Sequence, residues 1–138
     1  MKINRALLAI ALALPLVGTA VAASTGTAYK YVCGKYEVIT YLSGVITVNK
    51  AKMDDFTYQR GANSTILMFR EYMPAGGSST VYQLESHNDG DAVLYHQWTD
   101  ADDNPKGEVK VDACAHVREV HLPYPTEPSM GEIRASEG

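Results

Sequence analysis

One group of acidic residues in this 138-residue sequence has the spacing of a cation-binding loop. Asp100, Asp102 and Asn104 form the D-x-D-x-N pattern that opens a calcium loop, where alternate side chains supply oxygen ligands. Pro105 then stands where such a loop needs glycine, and Val111 stands where it needs the bidentate glutamate. We therefore expect a solvated acidic turn here rather than a calcium site.

The two cysteines allow either a metal site or a disulfide. Cys114, His116 and His121 offer thiolate and imidazole ligands, but the C-x-H-x4-H spacing lacks a recognisable fourth ligand. Cys33 and Cys114 bracket most of the patterned region and lie 81 positions apart. A disulfide between them would contribute about 4 kcal/mol by restricting the unfolded chain. We favour the disulfide and expect neither a metal nor a cofactor.

No catalytic constellation stands out. The four histidines, including His87 and His96, fall in different segments. Neither a nucleophile motif of the G-x-S-x-G kind nor a phosphate-binding or dinucleotide-binding glycine motif is present. We therefore expect a protein that is not an enzyme.

The neutral stretch 74–82, with sequence PAGGSSTVY, is the candidate interaction segment. Its Gly-Gly pair permits close approach of a backbone to another surface. Ser78, Ser79 and Tyr82 supply hydroxyl groups that could donate or accept hydrogen bonds. We predict that these three side chains bind a partner.

The elements that would position this segment are short strands. Segments rich in Val, Ile, Tyr and Thr alternate with turn residues, and no stretch keeps a helical period. We predict eight strands at 28–33, 36–42, 45–49, 55–60, 64–71, 80–86, 92–98 and 108–113. Short connections predict an antiparallel meander, which eight strands can close into a small barrel, with a β-sandwich as the alternative.

The ends of the chain differ in composition from its middle. Residues 1–23 have the layout of a signal peptide, with Lys2 and Arg5 before an apolar run and small residues. A single β-domain is expected over 24–117, and a disordered tail over 118–138, where prolines replace the strand pattern. Export would place the protein in the periplasm or outside the cell, with no transmembrane segment after cleavage.

Charge narrows the class of partner. Removal of residues 1–23 would leave ten basic and sixteen acidic side chains, a net charge of about −6. An acidic protein is a poor ligand for nucleic acid and a suitable one for a basic protein.

In this context the segment resembles the bacterial membrane-bound and periplasmic inhibitors of c-type lysozyme. Their marker is S-G-x-x-Y followed downstream by Trp-Thr, and Ser78, Tyr82 and Trp98-Thr99 keep those positions. Ser79 stands where the family has glycine, Val81 replaces a residue that is often polar or basic, and Asp100 follows Thr99 where Lys-Gly is common. The resemblance implies a small antiparallel barrel whose loop enters the lysozyme cleft.

The sequence thus favours an exported lysozyme inhibitor that occludes the enzyme cleft with the loop 74–82. Two alternatives remain open. One is a barrel that carries a lipid or a small molecule in its interior, which requires unfilled interior volume. The other is an immunity protein against a periplasmic toxin, which would have the same acidic character.

Overall fold

The computed structural model of the chain describes residues 24–74 and 77–137. The expected signal peptide, 1–23, lies outside these residues. The described chain contains nine strands and one helix: β1 (Thr25–Cys33), β2 (Tyr36–Tyr41), β3 (Ile46–Val48), β4 (Ala51–Lys52), β5 (Asp54–Arg60), β6 (Ser64–Tyr72), β7 (Ser79–His87), β8 (Ala92–Thr99), β9 (Pro105–Pro123) and α1 (Met130–Glu137).

The strands form one antiparallel sheet that curls into a nearly closed barrel, so the predicted all-β barrel is confirmed. The strand order is β4-β3-β2-β1-β9-β8-β7-β6-β5, which leaves a seam between β4 and β5. The sequence predicted eight strands, and the ninth is the two-residue β4, which is too short for an alternating pattern to reveal. Strand β9 is long enough to pair with β8 through its first half and with β1 through its second half.

The middle of the barrel is filled by apolar side chains. Alternate residues of a strand face the same side, so each strand contributes every second residue to the interior. Val38, Phe69, Leu84 and Leu94 are the largest apolar side chains that are fully buried there. The middle of the barrel is therefore a packed core.

The disulfide between Cys33 and Cys114 is present, and it joins directly paired positions of β1 and β9. Cys114 is thus held in a disulfide and is not the thiolate that a zinc site requires. The bridge ties the strand before the 34–35 turn to the middle of the longest strand. It is compatible with an oxidising compartment.

The chain after Val117 differs from the disordered tail that the sequence predicted. Strand β9 continues to Pro123, and Val120 and Leu122 pack with Tyr124 in a second, smaller apolar cluster on the outer face of the sheet. The Tyr41 hydroxyl donates to the Pro123 carbonyl oxygen at 2.7 Å. Strand pairing satisfies backbone groups that low apolar content alone would have left in solvent.

Helix α1 is also ordered, because its start is capped. The Ser129 hydroxyl accepts from the Glu132 backbone N–H, and the Glu132 carboxylate accepts from the Ser129 backbone N–H, which is a capping box. The Asp54 carboxylate accepts from the Ser129 hydroxyl and from the Gly131 backbone N–H. These bonds fasten the helix beside the seam of the barrel. Within the described residues no helix is long and apolar enough to cross a membrane.

Candidate functional site

Two loops lie side by side at one end of the barrel, which we name the first end. Strand pairing places Tyr72 beside Ser79, Ser79 beside Thr99, and Thr99 beside Pro105. The connections 73–78 and 100–104 therefore leave the barrel at the same end. A side chain on Gly77 would meet Ala101 at 3.5 Å, so the two loops are in contact.

The three predicted partner-binding residues have different surroundings. Ser78 is partly exposed in the 73–78 loop, and its carbonyl oxygen accepts from the Met73 backbone N–H at 3.0 Å. Ser79 is 0% exposed and its hydroxyl lies 2.7 Å from that of Thr99. Ala75 and Gly76 of the predicted segment lie outside the described residues. Only Ser78 is placed where a partner could reach it directly.

Tyr82 is 4% exposed and belongs to the interior of the barrel. Its ring stacks on Phe69 with centroids 5.4 Å apart, and its hydroxyl donates to the Glu71 carboxylate at 3.5 Å. Burial raises the pKa of the Tyr82 phenol, and it also raises the pKa of Glu71. In this conformation Tyr82 supports the strand that carries the loop and does not present its hydroxyl to solvent.

The acidic loop 100–104 satisfies its own backbone, as the sequence predicted for a turn. The Asp100 carboxylate accepts from the backbone N–H groups of Asn104 and Asp102, each at 2.9 Å. These hydrogen bonds lower the pKa of Asp100, and the bond from the Asn104 backbone has the largest effect. Asp103 receives a hydrogen bond from Arg70 at 2.6 Å. Among the described residues no group of three or more metal-ligating side chains could hold a metal ion.

A charged groove of about 710 Å³ opens at the first end. Lys35, Lys106 and Lys110 line it together with the acidic side chains of Glu108 and Asp112. Trp98 also lines the groove and is 43% exposed.

A histidine and a carboxylate meet within this first groove. His96 Nε2 lies 3.0 Å from Asp112 Oδ2, and the imidazole packs against Tyr36 with centroids 4.7 Å apart. A carboxylate that orients an imidazole is one part of a general-base arrangement, but a positioned nucleophile is the other part. The pair alone assigns no reaction.

A second groove, of about 480 Å³, opens at the opposite end, which we name the second end. The hairpin turns 61–63 and 88–91 lie at this end, where the Asn88 backbone N–H donates to the Asn63 carbonyl oxygen at 3.0 Å. Aromatic and hydroxyl side chains line the groove, and no charged residue does. Phe56 and Tyr58 of β5 line this groove, and both are exposed. Their common location depends on curvature of the sheet, which local sequence does not encode.

The packed middle of the barrel bears on the carrier hypothesis. Leu84 and Leu94 pair across β7 and β8, and both are fully buried between the two ends. A carrier that encloses its ligand would need this volume to be empty. Among the described residues, packed apolar side chains therefore occupy the space between the two grooves.

Comparison with known proteins assigns the chain to no family. No protein-family model matches the sequence, and neither a curated protein nor a solved structure matches it.

Proposed function

We propose that this protein is an exported, non-enzymatic inhibitor of c-type lysozyme that binds the enzyme through the first end of the barrel. The observation that carries the proposal is the contact between the neutral loop 73–78 and the acidic loop 100–104. The sequence resemblance at Ser78, Tyr82 and Trp98-Thr99 supports it, because all of these positions lie on the strands and loops of that end. The periplasm is the compartment in which such an inhibitor would act.

The proposal gives different roles to the residues of the segment. Ser78 is the contact residue, since it is the hydroxyl side chain of the loop that is partly exposed. Ser79 and Tyr82 are positioning residues: the Ser79 hydroxyl fixes the start of β7 against Thr99, and the Tyr82 ring anchors the same strand in the core. Their substitution would weaken inhibition through loss of loop position.

The acidic loop supplies the attraction to a basic enzyme. Asp102 is exposed beside the contact loop, and the chain without residues 1–23 carries a net charge of about −6. Complementary charge raises the association rate more than it lowers the dissociation rate. A rigid acidic loop next to a small neutral loop could therefore guide the neutral loop to a cleft that contains the catalytic carboxylates of a lysozyme.

The test measures inhibition of a c-type lysozyme by the exported chain and by two loop variants. Ser78→Arg introduces a long cation into the contact loop and should weaken inhibition about tenfold or more, because like charge and bulk would face a basic cleft rim. Asp102→Lys should mainly slow association, and this effect should shrink as salt is added. Neither site is buried, so both variants should fold.

Asp91→Lys is the matched control, since Asp91 is an exposed turn aspartate at the second end. It changes the net charge as Asp102→Lys does and should retain most of the inhibition. If Asp91→Lys and Asp102→Lys weaken inhibition equally, the loss depends on overall net charge, and this result would contradict a site at the first end. Absence of inhibition by about 10 µM of the exported chain would contradict the proposed function itself.

A further inference from the structure

The second groove has the composition of a ligand site of its own. None of the thirteen residues that line it is charged. Five of them are aromatic: Tyr29, Tyr31, Tyr41, Phe56 and Tyr58. Pockets that bind small molecules are concave and mostly apolar, with a few polar groups that fix orientation. The groove, at about 480 Å³, lies within the usual size range of such pockets.

Three of the five aromatic residues, Tyr29, Phe56 and Tyr58, are exposed, whereas Tyr31 and Tyr41 are buried. Phe56 and Tyr58 are 42% and 54% exposed, and Tyr29 and Leu42 beside them are exposed as well. These four belong to the nine large apolar side chains that are exposed in the described chain. A cluster of this kind at one site costs solvation free energy and is typical of a binding surface.

The groove spans the seam of the barrel. The turn 42–44 and Ile46 form one wall, and Phe56 and Tyr58 of β5 form the other. Gly44 faces the Phe56 ring, which a side chain at Gly44 would meet at 3.9 Å. Because β4 and β5 are not hydrogen-bonded to each other, the two walls can adjust their separation without breaking a strand pair.

Hydroxyl side chains also line the second groove. Thr40, Ser43, Thr65 and Ser86 line the groove, and the Thr40 and Ser86 hydroxyls partly offset the rise that burial causes in the Tyr31 pKa. These groups can donate to or accept from a neutral hydroxyl or amide. Since no lysine or arginine lines the groove, it has no partner for a phosphate or a carboxylate.

We infer that the second groove binds a neutral carbohydrate. The apolar C–H faces of a sugar ring stack on aromatic side chains, and its hydroxyls match those of the groove. An acyl chain fits less well, because the fully buried Leu84 and Phe69 close the barrel beneath the groove and leave no channel for its length. The inference does not depend on the proposed inhibition of lysozyme, whose surface lies at the other end.

The experiment is calorimetric titration of the full exported chain with two neutral probes, maltotriose and N,N′,N″-triacetylchitotriose. We expect at least one of them to bind in the millimolar range or tighter. Phe56→Ala and Tyr58→Ala should each weaken that binding about tenfold, and both sites are exposed enough for the variants to fold. Circular dichroism and thermal unfolding would confirm their folded state.

Trp98→Ala is the matched control, since Trp98 is as exposed as Phe56 but lies in the first groove. Unchanged sugar binding by Trp98→Ala, with loss in Phe56→Ala, would support the inference. Loss in Trp98→Ala alone would move the site to the first groove and overturn it. Binding of lauric acid at the second groove without binding of either sugar would overturn it too, as would absence of sugar binding at about 10 mM.

Discussion

The two ends of the barrel are built from the same strands but differ in the side chains that they expose. The first groove contains three lysines, His96 and two acidic residues, of which Asp112 is hydrogen-bonded to His96. The second groove contains aromatic, aliphatic and hydroxyl side chains and no charge. Between them lies a core of fully buried apolar residues. A single small barrel thus presents two chemically distinct surfaces that are separated by the apolar core.

This difference follows from position along the strands. Interior-facing residues at the middle of a strand must be apolar, whereas those near its two termini can contact solvent. Along β7 the interior-facing series runs from Thr80 through Tyr82 and Leu84 to Ser86, so the centre is apolar and both termini are polar. On β8 the same series begins with Ala92 and ends with His96 and Trp98. Each end can therefore vary in chemistry while the centre maintains the fold.

Among the substitutions that could distinguish the two ends, removal of the disulfide should change stability the most. Cys33→Ala with Cys114→Ala should lower the free energy of unfolding by about 4 kcal/mol, because the bridge closes a loop of 81 residues. Cys33 precedes the 34–35 turn, and Gly34 lies against the Asp112 side chain in the first groove. Hydrogen exchange should therefore accelerate more at 34–36 than at 42–46. Equal acceleration at both sites would contradict a local role at the first end.

The core between the ends can be tested with a pair of leucines. Leu84→Ala removes a fully buried side chain and should lower the free energy of unfolding by about 3 kcal/mol, measured by urea denaturation. Leu42→Ala is the control, because Leu42 is 68% exposed at the second groove, and it should cost less than about 0.5 kcal/mol. Similar costs for the two variants would contradict the burial of Leu84 in the core between the ends.

The sequence predicted the strands better than it predicted the surfaces. Alternating patterns located seven of the nine strands within a few residues, because burial of one strand face imposes a period of two. The strand predicted at 108–113 is the middle of β9, which continues to Pro123. The pattern could not show that Tyr82 faces the interior, since both faces of β7 carry mixed polar and apolar residues. Tyr82 satisfied the spacing of a family motif and at the same time fills the core, where it stacks on Phe69.

The candidate sites depended on long-range pairing, which one sequence does not reveal. The contact between Ser79 and Thr99 joins residues 20 positions apart, and Asp54 caps a helix 75 positions later in the chain. The prolines at 123, 125 and 128 favoured a tail over structure. Strand pairing with β1 and a capped helix stabilised that region instead.

The two ends should also differ in how salt changes the stability cost of a substitution, although these costs are smaller. Asp112→Asn weakens the charge-assisted hydrogen bond to the mostly buried His96 and should cost about 1 kcal/mol. Tyr31→Phe removes a buried hydroxyl at the second groove and should cost a similar amount. Added salt should reduce the cost of Asp112→Asn and leave that of Tyr31→Phe unchanged, because only the first involves ionic charge. Denaturant unfolding at low and high salt measures both, and equal salt responses would contradict the distinction.

The smallest effect concerns pH at the first end. Burial raises the pKa of Glu71, although the Tyr82 hydroxyl opposes that rise. The native state therefore holds the Glu71 proton more tightly than the unfolded state does, and the resulting stabilisation is complete below the ordinary glutamate pKa of about 4.3. It is lost as the pH rises through the higher native pKa.

The Glu71→Gln variant has no ionisable group at this position, so its stability relative to the wild type should increase from pH 4 to pH 7. Parallel unfolding measurements on the two proteins over this range isolate the contribution of Glu71 from those of the other carboxylates. The second groove has no ionisable carboxyl group, so Thr65→Val there should change stability by an amount that does not vary with pH. A constant difference between Glu71→Gln and the wild type would instead mean that Glu71 is more solvated in the native protein than its contact with the Tyr82 hydroxyl indicates.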